Sequence, residues 1–340
     1  MNMLINFVKN IFSDSKSEDC HTIKFTGRLD LDSNAKDLLH KFAPLFETKI
    51  SPNKKFILDL TETTFIYPSV VFFLVGLHVQ LEKLGVELNI MLDENSATTH
   101  YLYHCGLGKI FPIIDEIGKT LSNKLNSDDV MKMTWEQTIK EQHRIATDIV
   151  DWLEKRQKLS PKVESDTIDS IDEILRNIKQ HSSYDDYGFI GQAYPTSNRV
   201  RLVFYDNGIG IKAHITKRLY QNTHKRFQEF ISAEQFEDMK TKPANFAIEK
   251  ASIYEVSGTD YIDNSGAGLD FILRDLSPPT NGVVSIISDN GYVCWKKGEL
   301  VDSFALPFSF KGTLVAICID SKPDTILTYK KEFEQGANGT

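Results

Sequence analysis

Three stretches in the second half of the chain carry reactive residue types at regular spacing. Glu173, Asn177 and His181 recur every four residues, so on a helix they stand one turn apart on one face. That ridge aligns a carboxylate, an amide and an imidazole, groups that exchange protons and hydrogen-bond a ligand. Asp206 ends an apolar strand and opens the run Asp206-Asn207-Gly208-Ile209-Gly210. Glycines there let the backbone turn with positive φ and approach a ligand closely, while a carboxylate at the strand end accepts hydrogen bonds from an amino group. Further on, Gly266-Ala267-Gly268-Leu269 leads into an apolar segment at 271–276. A Gly-x-Gly that opens a helix turns backbone N–H groups and the positive end of the helix dipole toward an anion. Each feature alone has an ordinary reading: a polar helix face is solvated surface, Asp-Asn-Gly is a common turn, and one Gly-x-Gly is weak.

The elements that must position these groups are legible around them. Ile171, Ile174, Leu175 and Ile178 fall at three- and four-residue steps, which predicts a helix over 170–181 with one buried stripe. Strands are expected at 189–194 and 200–205, joined by a turn at 195–198. The chain has no P-loop, because Gly106-Leu107-Gly108-Lys109 lacks the spacing, and no glycine cluster fits a dinucleotide fingerprint.

The first third alternates strands and helices: strands at 22–25, 55–60 and 86–92, helices at 33–46, 70–84 and 96–105. Alternation of this kind predicts a small α/β layer domain. Between 115 and 161 the chain is charged, with Trp135, Ile139, Ile145, Ile149, Trp152 and Leu153 at helical spacing, and one or two linking helices are expected. His143 lies about thirty residues before Glu173, too few for the helical hairpin and strand that separate the phospho-accepting histidine from the ATP site in two-component kinases.

At 340 residues the chain has room for two domains of ordinary size, and its 41% hydrophobic and 25% charged residues are those of a globular protein. A net charge of −8 argues against a nonspecific grip on nucleic acid. Cysteines at 20, 105, 294 and 318 have no paired spacing, which points to reduced thiols and a cytoplasmic setting. The longest apolar run, 70–79, is too short for a bilayer, which needs about 20 residues. The first residues, with Leu4, Val8 and Ile11 at helical spacing, read as a helix docked on its own domain, not as a signal peptide.

Taken together and in this order, the three stretches resemble the boxes of the GHKL superfamily, which includes gyrase, the ninety-kilodalton heat-shock chaperones, histidine kinases and MutL. Glu173-x-x-x-Asn177 is similar to the N box, Asp206-x-Gly208-x-Gly210 to the first glycine box, and Gly266-x-Gly268-Leu269 to the second. Residues 281–288 and 311–317 resemble the family's closing strands, with Gly312-Thr313 at the place of its adenine-side threonine. The resemblance covers about 163–319 and implies ATP and Mg2+ as ligands. It implies that Asn177 holds Mg2+, that Glu173 is general base, and that Asp206 reads the adenine amino group. Gly208, Gly210, Gly266 and Gly268 then shape the pocket and lid hinges. His181 is similar to the histidine after the N box of anti-sigma-factor serine kinases. The segment 212–264 would be the ATP lid, with Lys217, Arg218, Lys225, Arg226, Lys242 and Lys250 as its cations. Asp263 and Asn264 occupy the place where the kinases often carry an arginine, so the γ-phosphate contact is unassigned.

The N-terminal third resembles a STAS domain, the module of anti-sigma-factor antagonists. The resemblance rests on Phe56-Ile57-Leu58-Asp59-Leu60 followed by Phe65-Ile66-Tyr67-Pro68-Ser69 and a long apolar helix. Tyr67 and Pro68 take the places of the family's Asp and phosphorylated Ser; Pro68 cannot be phosphorylated, and as the first residue of a helix it loses no needed N–H. What the resemblance then implies is docking or regulation. The expected architecture is α/β: a STAS-like domain at 20–115, a helical linker at 116–162, a GHKL two-layer sandwich with a mixed sheet at 163–320, and a tail at 321–340. The expected activity is nucleotide-dependent control of a protein partner that docks on the STAS-like domain and the lid, with no nucleic acid and no transmembrane segment. A homodimer is one arrangement this allows. Phosphotransfer to a serine or threonine, an ATP-hydrolysing switch and a nucleotide sensor without turnover are the competing classes.

Overall fold

The structure is a computed structural model that describes residues 20–46, 54–93, 95–109, 129–136, 142–155, 161–181, 187–221, 231–252, 269 and 272–320. Its class is α/β, with one parallel and one antiparallel sheet. The first sheet has the order β1 (Cys20–Leu29), β2 (Lys55–Ile66), β3 (Glu87–Met91), and both pairings are parallel. Parallel neighbours need crossovers, and these are α1 (Ala35–His40) between the first two strands and α2 (Pro68–Glu82) between the second and third. Helix α3 (Ala97–Cys105) follows, with Ser96 accepting the Thr99 N–H as N-cap and Gly106 at φ 92 closing it.

The second sheet has the order β4 (Val130–Glu136), β5 (Tyr187–Tyr194), β6 (Arg199–Asp206), β8 (Glu299–Asp320), β7 (Val283–Lys296). All four of its pairings are antiparallel, so the mixed sheet expected for this half is corrected: the two strand senses are divided between the two sheets. Helices α4 (Gln142–Glu154) and α5 (Pro161–His181) lie on one face, with Ile149, Leu153, Ile171, Ile174, Leu175 and Ile178 in one core with Leu202, Phe204 and Val315.

The expected linker is also corrected. Residues 130–136 are a strand that pairs with β5, not part of a helix. Two apolar residues four apart, as Trp135 and Ile139 are, fit a period of two as well as a helical turn, and sheet pairing decides between them. The closing strands run beyond the expected 281–288 and 311–317. Their extensions form a long hairpin arm, with Gly291 opposite Ala305 and Lys296 opposite Glu299.

The other face of the second sheet is covered by α2. From Pro68 to Leu77 every residue of this helix is buried, and a helix apolar on all sides must be enclosed on all sides. Phe73 stacks on Phe310 of β8 at 5.2 Å and meets Phe42 at 5.0 Å, so one core joins the two sheets through the helix. At the edge of this contact Arg201 of β6 pairs with Asp30 at 2.9 Å and Asp32 at 2.8 Å and lies over the Tyr67 ring at 3.7 Å. Ser285 also donates to Asp32. Burial pushes the Asp32 carboxyl up, Arg201 pulls it down, and Asp30 adds repulsion.

Removing the arginine would leave two carboxylates beside an apolar core. Arg201→Met is expected to cost about 3–5 kcal/mol at pH 7, the range for breaking one side of a buried ion pair. The loss should shrink as pH falls, because Asp32, raised by burial and no longer lowered by the arginine, takes up a proton. Urea unfolding at pH 7 and at acid pH checks both statements.

Candidate functional site

The end of β6 carries a buried polar site. Antiparallel alternation turns Leu202 and Phe204 into the helix-side core and Val203 and Tyr205 toward α2, and the strand then ends at Asp206. The Asp206 carboxylate is buried and accepts the Gly208 N–H at 2.8 Å. Thr313 pairs with it from β8; its hydroxyl lies 3.3 Å from Ser288 Oγ and acts to lower the Asp206 carboxyl. Burial is the larger effect and Gly208 and Thr313 oppose it; with no cation in the balance, the carboxyl is pushed up to about 7.

The wall facing Asp206 is a bulge. Ser288 pairs with Thr313 and the next residue, Asp289, pairs with Phe310, so Lys311 and Gly312 stand extra in β8. Side chains satisfy their backbone groups: Tyr205 OH donates to Lys311 O at 3.1 Å, and Ser288 Oγ donates to Gly312 O at 3.1 Å. The same Ser288 oxygen accepts the Ile211 N–H at 2.9 Å, tying the start of α6 (Ile211–Gln221) to the bulge. Gly312 has φ +88, and a Cβ there would lie 1.8 Å from Asp206 O. Only glycine lets the two strands approach this closely. Gly210, at φ +80, likewise faces Ser288 Oγ, 2.9 Å from where a Cβ would stand.

Helix α5 brings its ridge to the same end of the domain. It stops at His181, and β5 starts at Tyr187, which pairs with Asp206. Glu173 and Asn177 are both half-buried on this helix. Glu173 accepts from Arg176 at 2.8 Å; burial raises its carboxyl, Arg176 lowers it, and Asp172 raises it further.

The structure thus brings Asp206, Gly208, Gly210 and Thr313 together and sets Glu173 and Asn177 on the helix that ends beside them. His181 ends α5 and its side chain lies outside the described residues, as do Gly266 and Gly268. Leu269 packs against the core that holds the α5 stripe. Half of the expected lid is a docked helical layer: α6, α7 (Ala233–Thr241) and α8 (Ala244–Ala251) share a small core of Ile215, Met239 and Ala247. Helix α8 sits on the hairpin arm, where Ala244 N donates to Asn290 at 2.8 Å and Asn245 donates to Ser303 at 2.9 Å. Of the lid cations, Lys242 pairs with Asp238 at 2.7 Å and Lys250 lies over Phe246. Arg218, Lys225 and Arg226 have side chains outside the described residues.

Sequence reasoning missed Ser288 and Asn207. Asn207 is fully buried, and neither polar atom of its amide has a hydrogen-bond partner among the described residues. Each such group costs about 1–3 kcal/mol while unsatisfied, so this amide next to Asp206 fits a site that takes a polar ligand or its water. Among the described residues no three His, Cys, Asp or Glu side chains gather as a metal site. Comparison with protein-family models and with curated protein sequences returns no match, which leaves the geometry to carry the functional reading.

Asp206 costs stability. Its carboxyl titrates near 4 when unfolded and at about 7 when folded, so the penalty grows as pH rises from about 4 to 7 and is constant above. Asp206→Asn should therefore melt at higher temperature than the parent at pH 8 and at nearly the same temperature at pH 4. The gain is at most roughly 4 kcal/mol, three pKa units at about 1.4 each. Gly312→Ala should lose more than the roughly 1–2 kcal/mol of a strained φ alone, because its Cβ also collides with backbone. Thermal unfolding across pH measures both.

Proposed function

We propose that residues 130–320 are a GHKL-type domain that binds Mg·ATP, and that the STAS-like domain packed on its sheet lets nucleotide state control a protein partner. The observation that supports this best is Asp206 itself. A carboxylate buried without a cation, held by Gly208 N–H and Thr313 and walled by a glycine bulge, destabilises the fold and is accounted for by a ligand that donates to it. The adenine amino group is such a donor. Asn177 would offer its side-chain oxygen to Mg2+, which keeps several waters and takes the rest of its ligands from phosphate. Bound ATP supplies the transferable phosphoryl group. Glu173 is half-buried, burial raises its carboxyl, and in its ionised form it would serve as base to a hydroxyl or water.

The Arg176 ion pair favours a second reading. A carboxylate held at 2.8 Å by a guanidinium is a weaker base, which suits a sensor that binds nucleotide without turning it over. Incubation with γ-labelled ATP separates the classes: label on a partner's serine or threonine marks a kinase, free phosphate marks a hydrolase, and neither marks a sensor. In any of the three, the proposed ligands fit a cytoplasmic setting, where Mg·ATP is abundant. No described helix is long and apolar enough to cross a membrane.

Calorimetry with Mg·ATP tests the site. Asp206→Asn and Asn177→Ala should each weaken binding at least about tenfold, roughly 1.4 kcal/mol. Because the ionised Asp206 is the form that accepts, parent affinity should rise with pH through 7, and binding at pH 6 should release a proton. Parent-like affinity in both variants rejects the assignment.

A further inference from the structure

The bulge opposite Asp206 is held by hydrogen bonds from a side chain of the other domain. Gln80, near the C-terminal end of α2, accepts the Lys311 N–H at 3.0 Å and donates to Ser309 O at 2.8 Å. Lys311 and Gly312 have no strand partner across the register break, so without Gln80 the Lys311 N–H loses the hydrogen bond that sheet pairing would otherwise supply. One helical turn earlier, Gly76 lets α2 approach: a Cβ there would stand 2.6 Å from the Phe310 ring and 3.1 Å from Tyr205. Tyr205 in turn donates to Lys311 O. Gly76 and Gln80 therefore lie on one face of α2 and act on one stretch of β8, residues 309–311, directly before Gly312 and Thr313. A bulge beside a site re-aims the side chain that follows it, and here that side chain is Thr313.

We propose that Gln80 is a positioning residue of the Asp206 site: gripping the β8 bulge, it lets the N-terminal domain hold Thr313 against Asp206 and set the affinity for nucleotide. The ligand in this statement rests on the nucleotide reading above; the grip on the bulge does not. The N-terminal domain is then part of the site's wall, and a partner that displaces α2 from β8 loosens the site without touching it. Conversely, a ligand that orders the bulge favours the docked helix by the same factor, since coupling of two binding equilibria is reciprocal.

Gln80 is half-buried at the rim of the contact, so an apolar replacement of similar length removes both hydrogen bonds and leaves the core intact. The test uses the full chain as parent, Gln80→Met, Gln80→Leu as a second variant, and Leu84→Ala, at a residue 50% exposed, as control. Two quantities are read: the titration of the Asp206 carboxyl by carbon NMR, and Mg·ATP affinity by calorimetry. Loss of the Thr313 donor should move the Asp206 midpoint upward by roughly half a unit or more in both Gln80 variants and leave the control unchanged. Affinity should fall roughly fivefold or more alongside it. A change in melting temperature alone, with the Asp206 midpoint or the affinity at its parent value, overturns the proposal. Should the parent not bind Mg·ATP, the nucleotide reading fails, and the Asp206 titration still decides whether Gln80 positions Thr313.

Discussion

Helix α2 has no polar face along its first ten residues, and its burial organises the molecule. A helix of that kind is unstable against one sheet alone, because its far side would meet water. Here the far side meets β6 and β8, whose outward residues Val203, Tyr205, Phe310 and Leu314 are apolar in turn. The second sheet is thus buried on both faces, by α5 on one and α2 on the other. Docking is set by shape and hydrophobic burial; the Arg201 pair with Asp30 and Asp32 adds direction at one end, and Gln80 at the other. A buried ion pair gives little net stability, and this one ties β6 to the turn after β1.

The same enclosure explains how a costly carboxylate persists. Asp206 sits where the sheet ends, held on one side by Gly208 N–H and on the other by a threonine that follows a bulge. Each backbone oxygen freed by the bulge is recovered by a side chain from a different element, Tyr205 from β6 and Ser288 from β7. Burying this carboxylate costs stability, which the apolar cores on both faces of the sheet offset.

Local periodicity made much of this legible in the sequence. The stripe of Ile171, Ile174, Leu175 and Ile178 and the strand before Asp206 follow single periods, and each is where its pattern puts it. The pattern at Trp135 fitted two periods and was resolved by pairing with β5, a partner far along the chain. The hairpin arm at 289–310 escaped because Gly291, Gly298 and Pro307 interrupt its alternation. Ser288 reads as one more strand residue until its oxygen is seen between Ile211 N and Gly312 O. Gln80 is beyond any local reading: its partners are more than two hundred residues away, and only the folded chain shows a helix of one domain completing the wall of a site in the other.

The most direct measurement of the central claim, that the Asp206 end of the second sheet is a nucleotide site walled by β8 and capped by α5, is amide hydrogen exchange with and without Mg·ATP. Slower exchange with nucleotide should concentrate at 177–181, 206–211 and 311–314, with the outer strands of the first sheet unchanged. Nucleotide that leaves these three segments at their free rates, or protects only segments elsewhere, contradicts it.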